Sequence, residues 1–224
     1  MANLKYLVSG SWRLLGQMNY LEAWDLQTNM LKARINDEIS DTVLFVEHHP
    51  TYTLGRRGTD VDLLSSKEKL EDLGATVVAV DRGGQATFHG PGQLVVYPII
   101  DLRRWGNGPV KYVRTLESIL MSVLDSYGIK SCLIEGLTGV WVNDKKIAAI
   151  GVKISRGVTM HGFALNISTD LSWFDHIVPC GVRDRGVTSM EELLGRKVNV
   201  DGVISSMVKQ FEYNLGLRMD LDSP

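Results

Sequence analysis

Two hydrophobic periods alternate along the chain. Within residues 17–39, Tyr20, Trp24, Leu31 and Ile35 recur at close to fourfold spacing, which predicts a helix with one apolar face. After Pro109, a residue suited to a first helical position, Val113, Leu116, Leu120, Val123 and Tyr127 repeat that spacing until Gly128 stops it. Ser65-Ser66-Lys67-Glu68 reads as a capping box that opens a short helix closed by Gly74. Stretches 190–194 and 203–215 read as closing helices. Elsewhere the pattern is short and β-branched. Strands are expected at 5–8, 42–47, 76–80 and 93–100, with a glycine-rich loop over 82–92. Strands 139–142 and 146–154 flank the turn Asn143-Asp144-Lys145, and 158–167 returns after Ser155-Arg156-Gly157. Successive hairpins argue for antiparallel pairing. The fold class expected is therefore α+β: a mixed or largely antiparallel sheet packed with helices. A doubly wound parallel sheet would need regular strand–helix alternation through 139–167, which the turns deny.

Composition narrows the function classes. The chain has 224 residues, enough for one large domain or two small ones. Hydrophobic residues are 44%, charged residues 22%, and the net charge is −2, which disfavours nonspecific nucleic-acid binding. The strongly apolar run 94–100 is far shorter than the ~20 residues of a spanning helix. Ser9, Gly10, Ser11 and Arg13 break the apolar start, so no signal peptide is expected. A cytoplasmic protein without membrane association is the expectation. The two cysteines, Cys132 and Cys180, exclude a disulfide framework. The histidines lack the i, i+4 spacing of a helical zinc motif, so no metal is expected. Glycine is high, 22 of 224 residues.

The glycines fall where chemistry could sit. Arg82-Gly83-Gly84-Gln85-Ala86-Thr87-Phe88-His89-Gly90-Pro91-Gly92 suits close backbone approach to a ligand, but lacks the Gly-Lys-Ser/Thr of a phosphate loop. In Val178-Pro179-Cys180-Gly181, the glycine frees an N–H beside a thiol, an arrangement that suits a nucleophile next to an oxyanion-binding amide. An inert buried thiol is the other reading. Cys132, in a short strand, reads as core. Lys145 and Lys146 open the run Ile147-Ala148-Ala149-Ile150-Gly151; such a lysine is either a solvated turn residue or a partly desolvated proton carrier. His161 alternates with Phe163 and Leu165 and reads as a core histidine. His48 and His49 are adjacent, so they point to opposite sides of a strand.

These segments occur together, in order: Glu47-His48, Tyr52-Thr53-Leu54-Gly55-Arg56, the run 82–93, Lys146 through Gly151, His161-Gly162-Phe163-Ala164-Leu165-Asn166, Pro179-Cys180-Gly181 and Thr188-Ser189. The set resembles the lipoyl(octanoyl) transferase family, octanoyl-[acyl carrier protein]–protein octanoyltransferases, over roughly residues 20–195. The family usually has His-Pro-Pro where this chain has His48-His49-Pro50. The resemblance implies a fold shared with biotin and lipoate protein ligases, and a single catalytic domain over 1–224 with a C-terminal helix near 203–215. It implies octanoyl-acyl carrier protein as donor. The implied acceptors are lipoyl domains of oxo-acid dehydrogenase complexes and the glycine-cleavage H protein. It implies a thioester intermediate with Cys180 and Lys146 as the catalytic pair. Acyl-binding positions carry over to Arg82, Gly83, Gly84, Gln85, Ala86, Thr87, Phe88 and His89, to Ala149, Ile150 and Gly151, and to Gly162, Phe163 and Ala164. His48 and Gly181 are supporting candidates. No cofactor is expected, because a thioester donor is already activated. Arg56, Arg57, Arg82, Arg103 and Arg104 are candidates for a basic face toward an acidic carrier protein. Two alternatives are an ATP-dependent lipoate or biotin ligase on the same fold and a non-catalytic acyl or carrier-protein binding module.

Overall fold

A computed structural model describes residues 8–106, 108–178 and 185–222. The all-apolar stretch Leu94-Val95-Val96-Tyr97 forms the centre of a strand because both its faces find cover. That strand, β6 (Gln93–Ile99), lies inside an eight-stranded sheet. In chain order the other members are β1 (Val8–Met18), β2 (Asp41–His48), β7 (Cys132–Ile134), β8 (Leu137–Val142), β9 (Lys145–Ser155), β10 (Val158–Asn166) and β11 (Leu217–Leu221). Their spatial order is β11-β1-β2-β6-β10-β9-β8-β7. β1 runs parallel to β2 and β11, and the remaining pairs are antiparallel. The sheet is thus mixed and largely antiparallel, as the hairpin signals require. A second sheet has the order β4-β3-β5, from β3 (Thr51–Leu54), β4 (Thr76–Ala79) and β5 (Ala86–His89).

Helices cover both faces of the large sheet. α1 (Tyr20–Ile35) buries Tyr20, Ala23, Gln27, Met30, Leu31 and Arg34. They pack toward Val95, Tyr97, Ile99 and Ala164 on one face. α3 (Pro109–Ser126) and α5 (Val200–Leu215) pack on the other face, against Leu94, Val96, Phe163 and Leu165. Short helices α2 (Lys67–Asp72) and α4 (Met190–Leu194) complete the chain.

Several expectations shift. The helix expected from residue 17 starts at Tyr20, because β1 continues to Met18 and pairs with His48. The expected loop 82–92 contains β5, held by antiparallel pairing with β3. The cap of α2 is Ser66, one residue after the expected Ser65, and its hydroxyl accepts from Lys69 N–H. Cys132 lies on the edge strand β7 and is exposed rather than in the core. Of the expected strand 5–8, residues 5–7 lie outside the described residues.

One proline shapes the centre of the sheet. β10 and β6 pair from Asn166↔Gln93 to Phe163↔Val96. Continuing that register puts His161 opposite Pro98, and the same register resumes at the bridge Val158↔Asp101. Pro98 has no N–H to give a neighbouring strand. The Pro98 carbonyl accepts from Thr159 Oγ1 at 2.6 Å, the His161 N–H donates to Gln27 Oε1 on α1 at 2.9 Å, and the His161 backbone turns left-handed, φ +56°. The pocket described next is bordered by this part of β6 and β10 together with Tyr20 of α1.

Candidate functional site

The pocket is walled by Tyr20 of α1, by Val95 and Tyr97 of β6, and by Ala149 and Gly151 of β9. Gly162 and Ala164 of β10 form the adjoining wall, and Arg82, Gly84, Gln85, Ala86, Thr87 and His89 the opposite one. Small residues line the β9–β10 ladder, where Gly151 faces Gly162 and Ala149 faces Ala164. Ile150 and Phe163 also border the pocket. The Phe163 ring stacks on Phe211 at 6.3 Å among the α3 and α5 residues, so its main chain does the lining.

The glycines serve close backbone approach. A Cβ on Gly151 would lie 2.7 Å from Gly83 O, and one on Gly55 would lie 2.6 Å from Gly84 O. This lets Gly83 N–H donate to Val152 O at 2.9 Å and Arg57 N–H to Gly84 O at 3.1 Å. At Gly162 a Cβ would meet Val96 O at 2.1 Å and Pro98 Cδ at 2.7 Å. Gly162→Ala is therefore expected to lose about 3 kcal/mol of stability through overpacking between central strands. A urea midpoint equal to wild type would contradict that.

Arg82 is not a surface cation. It is buried, and its guanidinium donates to Thr53 O and Thr53 Oγ1, both at 2.7 Å, and to Gly83 O at 3.0 Å. It holds the glycine segment to β3, and it drops out of the expected basic face. Arg103 forms hydrogen bonds with Asp101. Arg56 and Arg57 are exposed, and Arg57 borders the groove that contains Lys146. Phe88 does not border the pocket. Its ring stacks on Trp173 at 5.2 Å, in the core beneath the small sheet.

Two neutral histidines, His89 and His161, border the pocket, and a third, His48, lies outside it. His89 stacks on Tyr20 at 5.6 Å; its Nδ1–H donates to Gln93 Oε1 at 2.9 Å, and Thr53 Oγ1 lies 3.3 Å from its Nε2. Burial holds its pKa well below the ordinary value, with His48 and Arg82 adding to the effect. His48 sits behind Tyr97, outside the pocket wall. Its Nδ1–H donates to Met18 O at 2.9 Å and its Nε2 accepts from Tyr97 O–H at 2.8 Å. Burial lowers it to about 4, against the opposing pull of the Met18 carbonyl. His161 corrects the parity expectation. Its left-handed backbone turns the ring away from the face of Phe163 and Leu165 to α1, 6.1 Å from Trp24. Tyr20, Val95, Tyr97 and His161 are pocket residues that the sequence reading did not assign to the site. The near-helical spacing of Tyr20 was visible, but nothing local tied it to Tyr97.

The adjacent lysines part company. Lys145 is exposed and donates to Glu192 Oε1 at 2.9 Å. Lys146 is 5% exposed, with Nζ 4.7 Å above the Trp141 ring. No carboxylate pairs with it among the described residues. It borders a groove that shares Gly84, Gln85, Ile150 and Gly151 with the pocket. Pro179, Cys180 and Gly181 lie outside the described residues. Both flanks of that stretch are anchored. Val178 N–H donates to Asp62 O at 2.8 Å. Beyond the stretch, Lys146 N–H donates to Gly186 O at 2.9 Å and Thr188 N–H to Lys146 O at 3.0 Å. Asn166 Nδ2 donates to Thr188 O at 3.0 Å and Gln93 Nε2 to Asn166 Oδ1 at 2.9 Å, which links this segment to His89. Among the described residues, no three His, Cys, Asp or Glu side chains converge as a metal site, and no helix is long and apolar enough to cross a membrane.

Residues 19–212 match the family model of the lipoyl protein ligase A/B catalytic domain. An octanoyltransferase of Rubrobacter xylanophilus is 50% identical over 206 residues, covering 91% of this chain and 92% of the relative. A mitochondrial octanoyltransferase of Arabidopsis thaliana is 44% identical, covering 91% and 88%. A bipartite lipoate protein ligase from Thermoplasma acidophilum superposes with a TM-score of 0.75 at 17% identity, over 96% of this chain and 88% of that one. A biotin protein ligase from Aquifex aeolicus superposes with a TM-score of 0.57 at 15% identity, over 93% and 70%. These two share the fold. With the family match over residues 19–212 and 50% identity to an octanoyltransferase over 206 aligned residues, the chain belongs to the octanoyltransferase family of acyltransferase enzymes within the lipoyl ligase A/B catalytic-domain group.

Proposed function

We propose that this enzyme moves an octanoyl group from octanoyl-acyl carrier protein to a specific lysine of lipoyl domains, by way of a thioester on Cys180. The acceptors under this reading are the lipoyl domains of oxo-acid dehydrogenase complexes and the glycine-cleavage H protein. The observation that carries it is Lys146. It is a buried lysine with no carboxylate partner among the described residues, and its strand is hydrogen-bonded to residues 186–188, which follow Cys180 in the chain.

The steps balance without ATP. Cys180 loses its proton and the thiolate attacks the donor's thioester carbon. The oxyanion collapses, the carrier's thiolate leaves and takes a proton, and octanoyl-Cys180 remains. The acceptor amine then attacks this second thioester. A C–N bond forms, the C–S bond breaks, and the amine's proton returns to the Cys180 sulfur through Lys146. As an ammonium, Lys146 favours the thiolate, and as an amine it accepts the proton. Gly181 N–H is the candidate donor to the oxyanion. Ala149, Gly151, Gly162 and Ala164 leave room for the alkyl chain.

Mass spectrometry of enzyme mixed with octanoyl-acyl carrier protein, without acceptor, tests this. One octanoyl group on Cys180 is expected, and it should disappear when an acceptor domain is added. Full activity in Cys180→Ala would overturn the reading. Acyl-adenylate formed from free octanoate and ATP would favour a ligase instead.

A further inference from the structure

We infer that His161 sets the upper length of the acyl chain, standing as a buried polar stop at the end of the pocket remote from Lys146. This rests on the pocket being the acyl site. On β9, Val152 is the rung opposite His161. It lies six residues beyond Lys146, which is about 20 Å along a strand. Along the ladder, the pocket is bordered from the rung Ala149↔Ala164 to His161, whose own rung partner is Val152. The two rungs are three residues apart, about 10 Å. An extended eight-carbon acyl chain spans about 9 Å from carbonyl carbon to methyl, for single bonds near 1.5 Å. The two lengths match.

The stop is polar and fixed. His161 Nε2–H donates to Asp81 Oδ1 at 2.8 Å, and Lys153 also bonds Asp81. Nδ1 is then a bare acceptor, since the ring is neutral: burial lowers its pKa to about 4 against the pull of Asp81. Nδ1 is buried and has no hydrogen-bond partner, and Gln27 Nε2 beside it has none either. Gln27 Oε1 holds the His161 N–H, so the two side chains with unpartnered atoms are neighbours, and of the two His161 borders the pocket. Trp24 backs the ring. An alkyl tail that stops short leaves these two groups their small polar space. Two further methylenes would press hydrocarbon onto the His161 ring, or push that ring off Asp81. Either costs the longer substrate transition-state binding that the octanoyl substrate keeps.

The test compares kcat/KM for hexanoyl-, octanoyl-, decanoyl- and dodecanoyl-acyl carrier protein. Wild type is expected to fall by at least tenfold from octanoyl to decanoyl. His161→Asn keeps a residue that accepts left-handed φ but shortens the side chain. His161→Gly removes the side chain without backbone strain. In either folded variant the decanoyl-to-octanoyl ratio is expected to rise about tenfold, the scale of one or two methylenes in a pocket. A uniform fall at every chain length, with the ratio unchanged, would show a merely structural residue and overturn the inference. So would a wild type that uses decanoyl and octanoyl donors equally, which needs no variant. A wild type that transfers no acyl group of any length would instead overturn the reading of the site itself.

Discussion

Replacing Lys146 by methionine is expected to lower kcat/KM for acyl transfer by about two to four orders of magnitude, the range for losing a proton-transfer group. Methionine is close in volume and unbranched, so it can lie along the same path beside Trp141. Stability is expected to stay within about 1.5 kcal/mol of wild type, as for other volume-conserving changes. Among the described residues no carboxylate pairs with Lys146 over Trp141, so none of them is left as an orphaned counter-charge by its removal. The neighbouring Lys145→Met is the control. Lys145 is exposed and reaches Glu192, so its loss should leave turnover near wild type. Steady-state rates on both variants, with thermal unfolding alongside, decide the matter. Wild-type turnover in Lys146→Met would remove this lysine from the chemistry. A drop for Lys145→Met alone would move the role next door.

Acid is expected to destabilise the protein in a window set by its buried histidines. His48 and His161 are held to about 4, and His89 also lies well below its ordinary value. In the unfolded chain all three should titrate near 6.5. Above that pH both states are neutral and the rings contribute no slope. As pH falls below it, the unfolded chain binds protons that the folded protein refuses, so stability falls with pH. The loss grows until the folded rings protonate near 4 and then levels off. At about 1.4 kcal/mol per unit, His48 and His161 each account for about 3 kcal/mol, before their mutual coupling. A total stability of about 5–15 kcal/mol is common, so the effect is large. Urea midpoints measured from pH 8 to 4.5 should be flat above 6.5 and decline below it. Most carboxylates titrate lower, so the span from 6.5 to 5 belongs largely to these rings. A midpoint that stays flat down to pH 5 would mean that the rings are not neutral and buried as described.

The two predictions draw on different kinds of information. Lys146 could be named from motif order: the local run left Lys145 and Lys146 both open, and the family resemblance picked the lysine directly before Ile147-Ala148-Ala149-Ile150-Gly151. The histidine cluster could not. His48, His89 and His161 come from β2, β5 and β10, and no local pattern says that those strands meet around Tyr20 and Tyr97. Phe88 shows the reverse. It sits between pocket residues Thr87 and His89, yet its ring points to the opposite side of β5 and packs on Trp173. The glycine segment could not reveal β5 at all, because the strand exists only through its pairing with β3.

Periodicity by itself determined the helices α3 and α5, the hairpins from β8 to β10 and the mixed sheet, because alternation and turn residues act over a few residues of chain. Motif order determined the family. Only the tertiary structure decided what each residue does in place. It put Lys146 inside and Lys145 outside, and made Arg82 an internal brace. It left Cys132 on an open edge, because no later strand covers β7. It also turned His161 from the α3 side to the pocket. The reason is a set of contacts between distant residues: Thr159 Oγ1 holds the Pro98 carbonyl, and Gln27 on α1 supplies the oxygen that the His161 N–H takes. Local sequence encodes which face a strand residue should take; the partner strand decides whether the rule is kept.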